Sequence, residues 1–470
     1  MTLARQLAER IVAMRADNVP QAALNWSRVG VMDTLGVALA GVAEEAPMKL
    51  AEVIGVSASG NGSGGEALVL GTSNRTSCLD AALINGVAAH VLDYDNTAAH
   101  MGGHESAVMV PALLAAAEAF NCSGTDVLLA HTAGYETGSQ IGRAINPLHS
   151  EKGWHPTATI GVFAVAAACA RLLNLTVEQT ETALALATSL AAGNKANFGT
   201  MTKSLHVGQC ARGGLMAALL ARKGFTANAD AFAHKQGYFN LFSGAGNFHA
   251  ERVLETWGAP LDILEPGASY KLYPCCYSTH APIEAALNLV REHGPFNADD
   301  IERVDSWTAA PRLAHTDRAQ PKSGLEAKFS VQYCVARAVL SGRVLLQDFE
   351  DDAWRAPAVQ SLLARVHAAP HLEGQFAPGS GFAAEVKITF KNGRSVSARV
   401  MRPLGRTAAN PIPPALLKAK FEDCAATVLP SQQVMAVSKA LDQFERVASV
   451  RAFMRLLECA PAQQATRKSA

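Results

Sequence analysis

The chain has 470 residues, 49% hydrophobic and 17% charged, which is long enough for two or three buried cores and too apolar for a disordered protein. Forty-one basic and 41 acidic residues leave a formal net charge of +0, which excludes an electrostatic footprint for nucleic acid. No apolar run reaches the roughly 18–20 residues of a membrane helix. Nine scattered cysteines without a C-x-x-C pair suit a reducing compartment, so the expectation is a soluble cytoplasmic protein.

Leu3, Leu7 and Ile11 share one face of an amphipathic N-terminal helix that does not read as a signal peptide. Ala/Leu/Val-rich helices are expected at 27–43, 79–91, 107–120, 125–144, 157–173, 176–192 and 206–223. Two of them open with polar caps, at Ser123-Gly124-Thr125 and Thr176-Val177-Glu178. The Gly-rich stretch 57–65 lacks a Walker lysine and a strand-turn-helix frame, and reads as a plain surface loop. After Gly267 the texture changes. A strand-like run occupies 301–307, helices are expected at 281–293 and 329–340, and Val386, Ile388 and Phe390 alternate. Asn392-Gly393 then leads into a second alternation of Val396, Ala398 and Val400, a hairpin signal. Helical pattern returns over 411–459, with Pro414 placed for a helix start. The expected architecture is mainly α with an inserted α+β lid. A helical domain over 1–267 is followed by an α+β lid domain over 268–404, and C-terminal helices over 405–470 pack back on the first.

The stretch from His90 to Ser106 gathers three carboxylates, a threonine hydroxyl and three imidazoles at the end of an apolar helix. Such a placement costs desolvation energy, and chemistry is the reason to expect it. Asp93, Asp95 and Thr97 superficially match an aspartyl phosphoryl-transfer motif, but that motif needs a strand before the first aspartate, and here a helix precedes it. Asp93, Asp95, His100 and His104 are competent metal ligands. Met101-Gly102-Gly103, however, breaks the helix that would align the two histidines, which weighs against a metal site without closing it. The bland alternative is a polar helix cap with solvated histidines. His155 stands between Trp154 and Pro156, where an apolar wall adjusts its proton affinity. Lys203 lies in a glycine-containing loop entering a helix. The helix macrodipole opposes a lysine there, and an anionic ligand would account for it. Lys271 and His280 fall at the change of texture, where a cleft between domains is expected.

These strings resemble the MmgE/PrpD family. The resemblance rests on Asn85-Gly86 through His90, Asp93-Tyr94-Asp95-Asn96-Thr97, Gly134-Tyr135-Glu136, Gly153-Trp154-His155-Pro156-Thr157 and Gly199-Thr200-Met201-Thr202-Lys203 to His206. It continues through Tyr270-Lys271 to His280, Glu326-Ala327-Lys328-Phe329-Ser330 and 417–424, colinear over nearly the whole chain. It implies a helical domain with a smaller α+β lid and an active-site cleft between them. It also implies a homodimer, no metal or organic cofactor, and a small di- or tricarboxylate substrate. Carried over residue by residue, it points to Asp93, Thr97, His104, His155, Lys203, Lys271 and His280. His104 or His155 is then the base that takes a proton α to a carboxylate, with the other as acid. Lys203 and Lys271, assisted by His280, hold the developing charge, Asp93 orients an imidazole, and Thr97 donates to a substrate carboxylate. A hydro-lyase is the first expectation, because one acid and one base suffice. The same carbanion also serves an epimerase, with Tyr135 as second acid, or a decarboxylase. The non-enzyme alternative is a catalytically silent polycarboxylate-binding protein. Two departures bear on the substrate more than on the reaction. His104-Glu105-Ser106, preceded by Gly102-Gly103, stands where the family commonly has His-Pro-Ser, and Asn96 replaces a frequent aspartate.

Overall fold

The computed structural model describes residues 1–56, 65–350 and 352–459. The glycine-rich loop expected at 57–65 lies, except for Gly65, outside the described residues. The chain divides into two compact units. One comprises 1–270, 407–409 and 413–470, and the other comprises 271–406 and 410–412.

The first unit is a helical assembly whose central members, Cys78–Val91, Glu105–Phe120 and Gly161–Leu172, are apolar and buried nearly all round. A helix without a polar face has to lie among other helices. Small residues set how closely they approach. A Cβ on Gly86 would meet the Gly208 Cα at 2.8 Å, and one on Gly208 would meet the Leu83 carbonyl oxygen at 2.4 Å. Only glycine permits this crossing of Cys78–Val91 with Thr202–Arg222. It sets His90, one turn past Gly86, beside the first turns of the other helix, which carry Lys203 and His206.

Both expected caps are present as capping boxes, Ser123 with Asp126 and Thr176 with Gln179. The helix expected over 157–173 is instead a single turn, Pro156–Thr159, followed by Gly161–Leu172. The helix expected from His206 begins at Thr202, and that from residue 27 begins at Gln21. In the C-terminal part, Pro414 opens the helix Pro414–Ala425, which packs on Gln21–Gly41. Among the described residues no helix is long and apolar enough to cross a membrane.

The second unit is a smaller α+β body. Its four-stranded sheet has the order Val366–Pro370, Ile301–Thr308, Ala384–Phe390, Ser395–Val400; the first pair is parallel and the others antiparallel. The expected hairpin is there, with Gly393 at φ +82° in its turn. Ala384, Val386, Ile388 and Phe390 alternate into a core shared with the helices His280–His293 and Val331–Ser341.

Candidate active site

The site begins where the Cys78–Val91 helix ends. The Asp93 N–H donates to the His90 carbonyl at 3.0 Å, and Asp93 takes φ +52°, a left-handed conformation that costs a non-glycine residue about 1–3 kcal/mol. The reversal sends two nearby carboxylates to different partners. Asp93 Oδ1 accepts from Lys203 Nζ at 2.8 Å. This supplies a negative charge beside a lysine that lies in the first turn of its helix, where the macrodipole opposes it. Asp95, fully buried, lies between two imidazoles: its Oδ2 is 2.9 Å from His90 Nδ1 and 2.8 Å from His104 Nδ1. Asp95 is thus the carboxylate set against the imidazoles of His90 and His104, while Asp93, the expected orienting residue, meets Lys203. Residue type could not distinguish them, because the left-handed turn at Asp93 decides which way each one points.

Around this carboxylate the histidines form a group. The rings of His90 and His104 stand 4.5 Å apart between centroids, and those of His90 and His155 stand 6.3 Å apart. His155 Nδ1 lies 3.2 Å from His206 Nδ1, and the His155 ring meets Phe198 edge-on. Lys203 Nζ sits 5.4 Å from the same Phe198 ring. The Gly103-His104 segment is tied to the Pro156–Thr159 turn, since the His104 N–H donates to Thr157 Oγ1 at 3.2 Å.

Burial governs the charge states. It would raise the Asp95 carboxyl, yet His104 and His90 hold it well below the usual carboxylate range. Burial lowers His90 to about 4 against the pull of Asp95. It depresses His155 too, helped by the charges of His90, Lys203, His104 and His206. At neutral pH the arrangement holds an ionised carboxylate, a neutral His90 donating Nδ1–H to it, and a neutral His155. An Asp-held imidazole presents its Nε2 lone pair outward, the state a general base needs.

His90, Asp95 and His104 offer donor atoms within 4.8 Å of one another, close enough to share a metal ion. The 2.8 and 2.9 Å contacts are shorter than the roughly 3.3 Å between ligands around a tetrahedral zinc, and His90 Nδ1 hydrogen-bonds Asp95, so the trio fits a carboxylate set against two imidazoles better. The grouping of Asp93, Asp95, His100 and His104 weighed from sequence does not form. His100 Nδ1 lies 2.7 Å from Asp262 Oδ2, and Asp262 also accepts from Arg143 at 2.6 Å.

The remaining expected residues are more dispersed. Thr97 lies in a two-residue antiparallel pairing of Thr97–Ala98 with Ala268–Ser269. Lys271 and His280 belong to the second unit, where both are buried and the His280 ring stacks on Tyr277 at 4.5 Å. Tyr135, expected as a second acid, is 1% exposed inside the Gly124–Ile145 helix, with its ring beside His131. Burial pushes its phenol well above the usual range, and the structure does not bring it into the imidazole group. Glu105 does not face solvent. It is fully buried and accepts from Ser139 Oγ at 3.0 Å; burial, with Asp262 and Glu136 nearby, raises its carboxyl well above the usual range. Asn96 is also fully buried, and neither of its amide atoms finds a hydrogen bond among the described residues, so an aspartate there would be a costly charge.

Reading the sequence by residue type gives no catalytic or binding role to four residues that stand at or beside this group, though Asp95 is among the candidate metal ligands: His90, Asp95, His206 and Lys420. The last comes from the C-terminal helix. Its ammonium donates to Asp33 Oδ1 at 2.6 Å and to the Tyr94 carbonyl at 2.8 Å, and lies 3.8 Å from the Tyr94 ring centroid. It thus grips the one residue between the two carboxylates.

Comparison with known sequences finds a family match over most of the chain. The MmgE/PrpD N-terminal domain matches residues 5–251 and the MmgE/PrpD C-terminal domain matches residues 273–443. Cis-aconitate decarboxylase of Mus musculus is 28% identical over 473 residues, covering 97% of this chain and 93% of the relative. The enzyme of that name from Homo sapiens is 31% identical over 337 residues, covering 68% and 67%. That from Aspergillus terreus is 28% identical over 416 residues, covering 84% of each.

Proposed function

The chain belongs to the MmgE/PrpD family, and from that premise we propose that it is a cofactor-independent lyase acting on a small di- or tricarboxylate. The observation that carries the reading is Asp95 held between His90 and His104, with the Lys203–Asp93 pair close by. A proton α to a carboxylate is barely acidic, so its removal needs a fixed base and a cation near the charge that develops. His104 takes that proton on Nε2 while Asp95 stabilises the imidazolium. The released electron pair passes into the carboxylate as an aci-carboxylate, toward Lys203. In a hydro-lyase the β C–O bond then breaks, and the hydroxide leaves as water with a proton from His155. This remains the first reading, because it uses one base and one acid. A decarboxylase is the second, favoured by the names of the relatives. There a carboxylate departs as CO₂, and the acid protonates the carbon that bore it. Thr97, Lys271 and His280 are proposed to bind substrate carboxylates, and the active form is proposed to be a homodimer.

Proton NMR in D₂O with citrate-, malate- and aspartate-like acids tests the reading. Deuterium entering an α position, with a new alkene or with loss of CO₂, supports it. Ligand-induced thermal stabilisation without exchange for any acid would instead favour a silent polycarboxylate-binding protein.

Two further results are expected. His155→Ala and Lys203→Ala each lose on the order of 10²–10⁴ in turnover while circular dichroism stays that of a folded helical protein. Full activity in either purified variant overturns its assignment. Exhaustive treatment with a chelator leaves turnover unchanged; a loss that zinc restores would make His90, Asp95 and His104 a metal centre.

A further inference from the structure

His206 lies outside every role assigned above, yet it is the group that His155 Nδ1 faces. The two Nδ1 atoms are 3.2 Å apart, so one ring donates a proton to the other. The contact is built in from two sides. The His155 N–H donates to the Gly193 carbonyl at 3.1 Å, and Gly193, at φ +130°, runs so close over His206 that a Cβ there would stand 3.3 Å from the ring Cγ and Nδ1. The same loop residue therefore fixes the His155 backbone and bounds the His206 ring. His155 is 3% exposed and walled by Phe198, whereas His206 is half-buried and reaches solvent.

We propose that His206 is a proton relay, refilling His155 from solvent each time His155 gives its proton to substrate. The proposal rests on the reading of His155 as the acid. The step balances without a charged intermediate on the buried ring. His155 releases Nε2–H to the leaving group as His206 passes its Nδ1–H to His155 Nδ1. The N–H bond of His206 breaks, a new one forms on His155, and His206 takes a replacement proton from water on Nε2. Once product has left, the reverse transfer restores the starting tautomers: His155 takes a proton on Nε2 from water in the emptied site as its Nδ1–H returns to His206 Nδ1, and His206 gives its Nε2–H to solvent. Burial explains why a relay is needed: it disfavours an imidazolium at His155, so that ring has to gain a proton as it gives one. His206, itself lowered only by burial, is the less enclosed of the two and the one that can exchange with solvent.

The test compares His206→Ala and His206→Gln with the parent chain in dilute, non-imidazole buffer. In both variants kcat should fall by on the order of 10²-fold with little change in KM, and added imidazole should restore it saturably, with no effect on the parent. A rate equal to the parent's, or a loss that imidazole does not repair, overturns the relay. A second readout needs no turnover. In protein carrying ¹⁵N-histidine, a coupling across the Nδ1–H···Nδ1 bond should join His155 to His206, and the His155 ring proton should exchange with solvent more slowly in His206→Ala. Absence of both effects overturns the relay even where the chain is active. Their presence in a chain that processes no acid would keep the His155–His206 proton path and overturn the lyase reading, so the two failures stay distinct.

Discussion

Replacing Asp95 by Asn is expected to lower kcat by on the order of 10³–10⁴ with the fold intact. The two side chains have the same shape, but their hydrogen-bonding capacity differs. Asp95 accepts from His90 Nδ1 and stands 2.8 Å from His104 Nδ1, as a carboxylate with two acceptor oxygens and no donor. An asparagine accepts at one atom and donates at the other. One imidazole must then turn its Nδ1 lone pair toward the amide and carry its proton on Nε2. If that ring is His104, the base has lost the lone pair it acts with; if it is His90, the charge that stabilises the His104 imidazolium is still gone. Both routes lead to a slow enzyme. Asp93→Asn is the informative comparison, because Asp93 pairs with Lys203 whereas Asp95 lies against the two imidazoles. It should cost less in kcat and more in KM, as the lysine loses its anchor. Steady-state kinetics with histidine ¹⁵N shifts for the tautomers would decide. Equal losses in the two variants would return the orienting role to Asp93, and near-normal kcat in Asp95→Asn would remove the dyad from the mechanism.

The contrast between these aspartates also marks where the sequence stops being legible. The helix opened by Ser123 can be read to within a residue at both ends, and that opened by Thr176 at its start, since propensity and capping act locally; the latter ends at Ala187, five residues before the expected 192. The Ala384–Phe390 and Ser395–Val400 hairpin is readable for the same reason: alternation and an Asn-Gly turn agree. The parallel strand Val366–Pro370 gives no such signal, because Val-His-Ala-Ala-Pro neither alternates nor favours a strand, and long-range pairing decides it. Tyr135 shows a further limit. Its helix is buried on almost every side, so periodicity says nothing about which polar groups reach a cavity and which stay in the core. Around His90 to His104 the types of residue suggest chemistry, but the left-handed turn at Asp93, which residue type does not reveal, accompanies the split of the two carboxylates between Lys203 and the imidazoles.

Lys420→Met should lower stability by about 3–5 kcal/mol, the range for removing one partner from a buried ion pair. Lys420 and Asp33 have side chains only 3% and 1% exposed, and the substitution takes the ammonium from Asp33 without returning that carboxylate to water. A second consequence concerns the site. Lys420 also donates to the Tyr94 carbonyl, so it holds the chain between Asp93, with its strained backbone, and Asp95. Stability and positioning can be separated with the double variant Asp33→Leu, Lys420→Met. Replacing a buried pair by apolar side chains is often neutral or stabilising, so the double variant should recover most of the lost stability in denaturant titration. Its turnover should nevertheless remain low, because the Tyr94 carbonyl loses the Lys420 ammonium and the two carboxylates lose that hold on their separation. The deficit should appear in kcat, with a changed pH profile, since the Asp95 contacts to both imidazoles depend on that separation. A double variant that regains both stability and turnover would reduce Lys420 to a packing element. One that regains stability alone would make the C-terminal helix part of the machinery that aims the base.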